Sequence, residues 1–160
     1  MRLFITITVF LFFNSLSSQS ANDSLWRIWN DKSVNDSIRL KAVVLFSHNI
    51  AYKYPDSCLS ISSQILSRYE KTLFVELDVL HIRGKALYFK GEFLKSLSEF
   101  NKGLDLSIEN KLINSQANFY ANIGNIKQEI GDYNSAIDNF LKANKLIENN
   151  SGLFKKNSSV

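Results

Sequence analysis

The sequence predicts an all-α fold, an α-solenoid of about three stacked helix-turn-helix units. The segment GEFLKSLSEFNKGLDL at 91–106 is matched by GDYNSAIDNFLKANKL at 131–146, so that Phe100 and Phe140 lie 40 residues apart. Pro55 is the one proline among 160 residues, which favours long helices because proline breaks the helical hydrogen-bond ladder. No stretch alternates apolar and polar residues for long enough to indicate a strand.

The first 20 residues have the layout of a secretory signal peptide. Arg2 precedes an apolar run of 11 residues, 3–13, and an uncharged stretch of small polar residues follows. That run is shorter than the roughly 20 residues that a membrane-spanning helix needs. The pattern predicts cleavage near 18–20 and export to the periplasm or the extracellular space. An uncleaved membrane anchor is the alternative.

The next segment, 21–34, is expected to form a short N-terminal helix or turn that caps the first unit. Its sequence DSLWRIWND is amphipathic, and Trp26 and Trp29 lie three residues apart within it. Residues at this spacing share one face of a helix. The two rings form either a hydrophobic lid over the first unit or an exposed docking patch for another chain.

A degenerate first hairpin is predicted at 35–71. Asp36 is a good N-cap, because its carboxylate can accept the unsatisfied amide hydrogens of the first turn, and apolar residues recur at helical spacing through 38–54. Pro55 then begins a second helix, since proline suits a first helical turn. This unit departs from the later pattern, as terminal units of repeat arrays do.

Two full hairpins follow, at 72–111 and 112–149. Their helices are expected at 73–90, 93–109, 112–130 and 133–148. Gly91 and Gly131 mark the tight turns within them. A two-helix unit cannot bury its apolar stripe alone, so neighbouring units must stack. Residues 150–160 are either the start of a further unit or a disordered tail.

The repeated positions resemble those of the tetratricopeptide repeat family. That family places a large apolar residue and a glycine in the first helix, and alternating aromatic and small residues in the second. The matching residues are Leu80, Gly84, Phe93, Ser96, Phe100 and Gly103 in one unit, and Tyr120, Gly124, Tyr133, Ala136, Phe140 and Ala143 in the next. The glycines at 84 and 124 let helices approach closely, and the rings at 100 and 140 fill the gap between units. The resemblance implies a right-handed solenoid that binds proteins without catalysis.

The repeat of 40 residues is longer than the family's usual length of about 34, and no proline closes it. Long repeats of this kind resemble the exported sensor regions of bacterial signalling proteins. There a transmembrane helix follows, and then a nucleotide cyclase, histidine kinase or DNA-binding output domain. The leading segment LWRIWNDKSVNDSIRLKA also resembles the start of such proteins. The alternative function is therefore a sensory or regulatory region whose C-terminal transmembrane segment and output domain lie outside this sequence.

The resemblance also implies a concave groove lined by the first helix of each unit. The expected groove-facing residues are Asp78, His81, Lys85, Tyr88, Asn118, Ala121, Asn125 and Gln128. These side chains are mostly polar, which suits an extended peptide backbone or a tail carboxylate. The alternative is an ordinary solvated helix face.

Nothing in the sequence indicates an enzyme, a cofactor or a metal site. His48 and His81 lie in different predicted helices without a second ligand at metal-binding spacing. Cys58 occupies a position where the repeat wants a small residue, which favours packing over a reactive thiol. The net charge of +4 comes from scattered lysines, which does not predict nucleic-acid binding. We expect a non-catalytic protein whose partner is a protein or peptide.

Overall fold

The computed structural model describes residues 21–157, which form seven helices and no strand. Residues 21–30 are helical (α1), and the remaining helices are α2 (Asp36–Ile50), α3 (Pro55–Arg68), α4 (Leu73–Phe89), α5 (Phe93–Glu109), α6 (Ile113–Glu129) and α7 (Tyr133–Asn157). The predicted all-α fold is confirmed. The predicted signal peptide at 1–20 lies outside the described residues.

The chain divides into two compact units between Ile50 and Ala51. The described part of the first unit consists of α1 and α2 and holds an aromatic cluster. The ring centroid of Trp26 lies 5.0 Å from that of Trp29 and 5.0 Å from that of Phe46. Trp29 is buried, whereas Trp26 remains 41% exposed. Trp29 therefore serves packing within this unit, and Trp26 keeps a face toward solvent.

The helix α2 ends at Ile50 rather than at the predicted residue 54. Tyr54 precedes Pro55 and has φ −135° and ψ 60°, because the proline ring disfavours the helical conformation in the residue before it. The division between the two units falls inside the predicted hairpin 35–71, and that hairpin stays a prediction. At the other end, α7 continues to Asn157, since no proline interrupts it after the predicted end at 148.

The second unit stacks consecutive helices in the manner that the repeat predicts. Helix α4 packs against α3 and α5, and helix α6 packs against α5 and α7. Two successive hairpins, α4–α5 and α6–α7, therefore share a seam formed by α5 and α6. The core at this seam consists of Leu77, Phe100, Leu104, Phe119, Ile123 and Ile126.

Three helices of the second unit end in the same hydrogen-bonded turn. Gly91 (φ 75°), Lys111 (φ 56°) and Gly131 (φ 81°) adopt the left-handed conformation, each as the second residue after the end of α4, α5 or α6. The N–H of Glu92 donates to the carbonyl of Leu87 at 2.9 Å, which is the closing bond of a Schellman motif. Equivalent bonds run from Leu112 to Ser107 at 2.9 Å and from Asp132 to Lys127 at 2.8 Å. The sequences GEF at 91–93 and GDY at 131–133 therefore mark the ends of α4 and α6.

Lys111→Gly is expected to raise the free energy of unfolding by about 1 kcal/mol, because a side chain in the left-handed region clashes with the following carbonyl. Urea denaturation followed by circular dichroism measures the change. Gly91→Ala is the matched control and is expected to lower stability by a similar amount. A loss of stability in Lys111→Gly would contradict this account of the turn.

Candidate functional site

The candidate site is the surface shared by α4 and α6, the first helices of the two hairpins. Two polar contacts join these helices. Asn122 Nδ2 lies 3.1 Å from His81 Nε2, and the Tyr88 hydroxyl donates to Glu129 Oε1 at 3.1 Å. On each helix the two partners are seven residues apart, which is about 10 Å along the axis. Two of the predicted groove residues of α4, His81 and Tyr88, therefore lie on the side of this helix that faces α6.

His81 is held at the edge of the hydrophobic core. Its ring centroid lies 5.9 Å from that of Phe100 and 5.8 Å from that of Phe119. The Asn122 amide that approaches its ring nitrogen also donates to the carbonyl of Asn118 at 2.7 Å. His81 thus contacts the core at the seam and, through Asn122, the first helix of the next hairpin.

Tyr88 anchors the other end of the shared surface. Burial, followed by the hydrogen bond to Glu129 and the charge of that carboxylate, raises the pKa of the Tyr88 phenol above its usual value. Its ring lies 5.2 Å from that of Phe89, which in turn contacts Tyr52 at 5.4 Å between ring centroids. Tyr52 is 79% exposed, so a row of aromatic rings continues outward from this end of the surface.

Asp78 lies one turn before His81 on α4 and has a different environment from the other groove residues. It is partly buried, and among the side chains that the structure describes, those of residues 21–150, its carboxylate has no hydrogen bond or ion pair. Burial alone raises the pKa of Asp78 to about 6. Its side chain is therefore a charged group that has lost part of its hydration and has gained no partner in exchange.

Lys85, another predicted groove residue on α4, influences the pKa of Cys58 on α3. Burial raises the pKa of the Cys58 thiol to about 11, and the positive charge of Lys85 opposes that shift. Cys58 is fully buried. A thiol with this pKa is protonated at neutral pH and is a poor nucleophile.

The predicted groove residues on α6 are the more accessible ones. The side chains of Asn118, Asn125 and Gln128 are exposed, and Ala121 is partly buried. Sequence reasoning missed Asn122 and Glu129, the residues through which α6 contacts α4. Both directly follow a predicted groove position, so the contacts have a separation of 41 residues instead of the repeat length of 40.

The glycines of the repeat leave space against which phenylalanine rings pack. A Cβ at Gly84 would lie 2.4 Å from Cε1 of Phe100, and one at Gly124 would lie 2.7 Å from Cε1 of Phe140. The Ser96 hydroxyl donates to the carbonyl of Gly84 at 2.7 Å. Each ring thus rests on the glycine of its own hairpin, which allows the two helices to approach.

A third glycine, Gly103, accommodates a phenylalanine ring at the seam between the hairpins. A Cβ at Gly103 would lie 2.2 Å from Cζ of Phe119, which belongs to the next hairpin. The ring of Phe100 also reaches this seam, with its centroid 6.2 Å from that of Phe119. The equivalent position in the second hairpin is Ala143, which is buried.

The other repeat positions differ in burial between the hairpins. Leu80 and Ala136 are buried, and Phe93, Tyr120 and Phe140 are partly buried. Tyr133, the counterpart of Phe93, is 65% exposed. The ring of Phe93 packs 5.9 Å from that of Tyr88, whereas the residue 40 positions after Tyr88 is Gln128, which offers no aromatic ring.

Among residues 21–157, no three His, Cys, Asp or Glu side chains are grouped so that they could hold a metal ion. Over the same range, no helix has both the length and the apolar character required to cross a membrane.

Comparison with known families gives one match. The tetratricopeptide repeat profile matches residues 117–150, which cover most of α6 and the first part of α7. The chain therefore contains a tetratricopeptide repeat, and its helices are consistent with an α-solenoid of such units. Repeats of this family generally mediate protein–protein interactions and are generally non-catalytic. No curated protein and no solved structure matches the chain.

Proposed function

We propose that this protein is an exported, non-catalytic binding module that holds an extended peptide segment of a partner protein on the surface shared by α4 and α6. One observation carries the proposal. The exposed amides of Asn118, Asn125 and Gln128 lie on one face of α6, and none of them bonds to another described residue. An amide side chain can both donate to and accept from a peptide backbone.

The spacing of these amides suits an extended ligand. Asn118 and Asn125 are separated by seven residues, about 10 Å along a helix, which is the length of about three residues of extended chain. Two side-chain contacts, from His81 and Tyr88, join α4 to α6 beside these amides and restrict the relative movement that the proposed surface allows. A rigid surface lowers the entropic cost of binding.

The proposed function can be tested with a displayed library of random peptides selected on the purified protein. The triple variant Asn118→Ala, Asn125→Ala, Gln128→Ala is expected to weaken binding of an enriched peptide at least about tenfold, because each lost hydrogen bond contributes about 1 kcal/mol. Isothermal titration calorimetry gives the dissociation constants. The control is Asn101→Ala, Lys102→Ala, Asp105→Ala, which alters exposed residues of α5. Equal affinity for the triple variant and the wild type would refute groove binding.

Export is proposed from the layout of residues 1–20, with Arg2 before an apolar run. Expression with a C-terminal tag and fractionation of the cells is expected to place the processed protein outside the cytoplasm. Arg2→Glu should slow export, because a positive residue before the apolar run is part of the signal.

The second candidate is a sensory region of a membrane-bound signalling protein. It is favoured by the segment LWRIWNDKSVNDSIRLKA, which resembles the start of such proteins. Reading the gene beyond Val160 tests this candidate. Further repeats, an apolar run of about 20 residues and an output domain would support it, and a stop codon directly after Val160 would favour the free binding module.

A further inference from the structure

The carboxylate of Asp78 is the one predicted groove group that is both partly buried and without a charged or hydrogen-bonded partner among the described side chains of residues 21–150. Other polar groups on α4 are already engaged, since His81 contacts Asn122 and Tyr88 donates to Glu129. Burying an ionised carboxylate without a partner is unfavourable, and such groups concentrate at functional sites.

The repeat provides an internal comparison. The residue 40 positions after Asp78 is Asn118, which occupies the same place on α6 and is exposed. A neutral amide in the second hairpin therefore stands where a partly buried carboxylate stands in the first. The repeat does not require a charge at this position, so packing does not explain the acid.

We propose that Asp78 forms a subsite for the cationic side chain of a lysine or arginine in the bound peptide, an inference that rests on the proposed peptide-binding function. A cation that reaches Asp78 replaces the lost hydration with a charge-assisted hydrogen bond, which is stronger than a neutral one. The same hydrogen bond contributes less free energy of binding at an exposed carboxylate, because water and salt screen the charges there. Partial burial thus makes Asp78 selective for a charged partner.

The test uses a peptide enriched by the library selection and synthesised with an acetylated N-terminus and an amidated C-terminus. These blocked ends remove the terminal amine as a competing cation. One basic position is varied to lysine, arginine, norleucine and glutamate, and calorimetry measures each dissociation constant. The lysine and arginine peptides are expected to bind the wild type at least tenfold more tightly than the norleucine peptide.

Two variants locate the preference. In Asp78→Asn the lysine and norleucine peptides are expected to bind with affinities within twofold of each other, and the norleucine peptide should bind as it does to the wild type. The double variant Asp78→Asn, Asn118→Asp keeps the net charge and moves the acid to the exposed position. In this double variant the lysine peptide is expected to bind less than threefold more tightly than the norleucine peptide. That result would separate a local subsite from long-range attraction.

Each outcome is decisive. If no library peptide binds, both the proposed function and this subsite are wrong. If peptides bind and the triple amide variant weakens them, but the preference for lysine is absent or survives in Asp78→Asn, the peptide-binding function stands and the subsite is refuted. Full recovery of the preference in the double variant also refutes it.

Discussion

Phe100→Ala is expected to lower the free energy of unfolding by about 3–5 kcal/mol, the usual cost of removing a buried phenylalanine. The Phe100 ring is only 1% exposed, fills the space above Gly84 and contacts the Phe119 ring across the seam. Its loss leaves a cavity between α4, α5 and α6, which the surrounding close-packed side chains can fill only in part.

Phe140→Ala is the matched variant, because Phe140 rests on Gly124 in the same geometry. Phe140 is only partly buried, so its loss exposes an existing edge to solvent and is expected to cost about half as much. Urea denaturation followed by circular dichroism at 222 nm measures both variants. Equal losses in the two variants would show that the seam between the hairpins does not stabilise the fold.

The difference between these two phenylalanines marks the limit of what the sequence predicts. The 40-residue period places both at the same repeat position and predicts that both rings fill the gap between units, whereas each ring rests on the glycine of its own hairpin. Their unequal burial depends on the next helix, since α6 covers the side of α5 that carries Phe100. A repeat sequence specifies the unit, whereas burial also depends on the neighbours of that unit.

The helix boundaries were predictable where the chain carries explicit stop residues. Gly91 and Gly131 end α4 and α6 because glycine adopts the left-handed conformation without a steric penalty. Lys111 adopts the same conformation and carries no such signal, although the predicted end of α5 at 109 is correct. The end of the hydrophobic pattern predicted the end of α5. Nothing in the sequence predicted that Lys111 adopts the left-handed conformation, which is unfavourable for lysine.

The candidate surface was predictable as a helix face and not as a set of contacts. The resemblance to the tetratricopeptide repeat family implies that His81 and Tyr88 lie on the groove-facing side of α4. The rotation of α6 that brings Asn122 and Glu129 to them depends on how the rings of Phe100 and Phe119 pack beneath the two helices. Packing of this kind is a tertiary property that a single sequence does not display.

The desolvation of Asp78 was equally hidden in the sequence, and it leads to a large expected effect. Asp78→Asn is expected to stabilise the protein by roughly 2–3 kcal/mol at pH 7.5, because the pKa of Asp78 is raised from 3.8 to about 6 and each unit corresponds to about 1.4 kcal/mol. The native state binds the Asp78 proton more tightly than the unfolded chain does. Stability is therefore lost as the pH rises from about 4 to about 6 and stays lower above that range.

The pH profile distinguishes this cause from a general effect of removing a charge. The stabilisation by Asp78→Asn should be nearly complete above about pH 6.5 and should fall toward zero as the pH drops below about 4, where the carboxylate becomes protonated in the unfolded chain as well. The control is Asp105→Asn on the exposed side of α5, which is expected to stay within about 0.5 kcal/mol of the wild type. Urea unfolding at half-unit steps between pH 3.5 and pH 7.5 gives both curves. A constant offset for Asp78→Asn across that range would mean that its carboxylate is hydrated in the native state, and the case for a cation subsite would lose its physical basis.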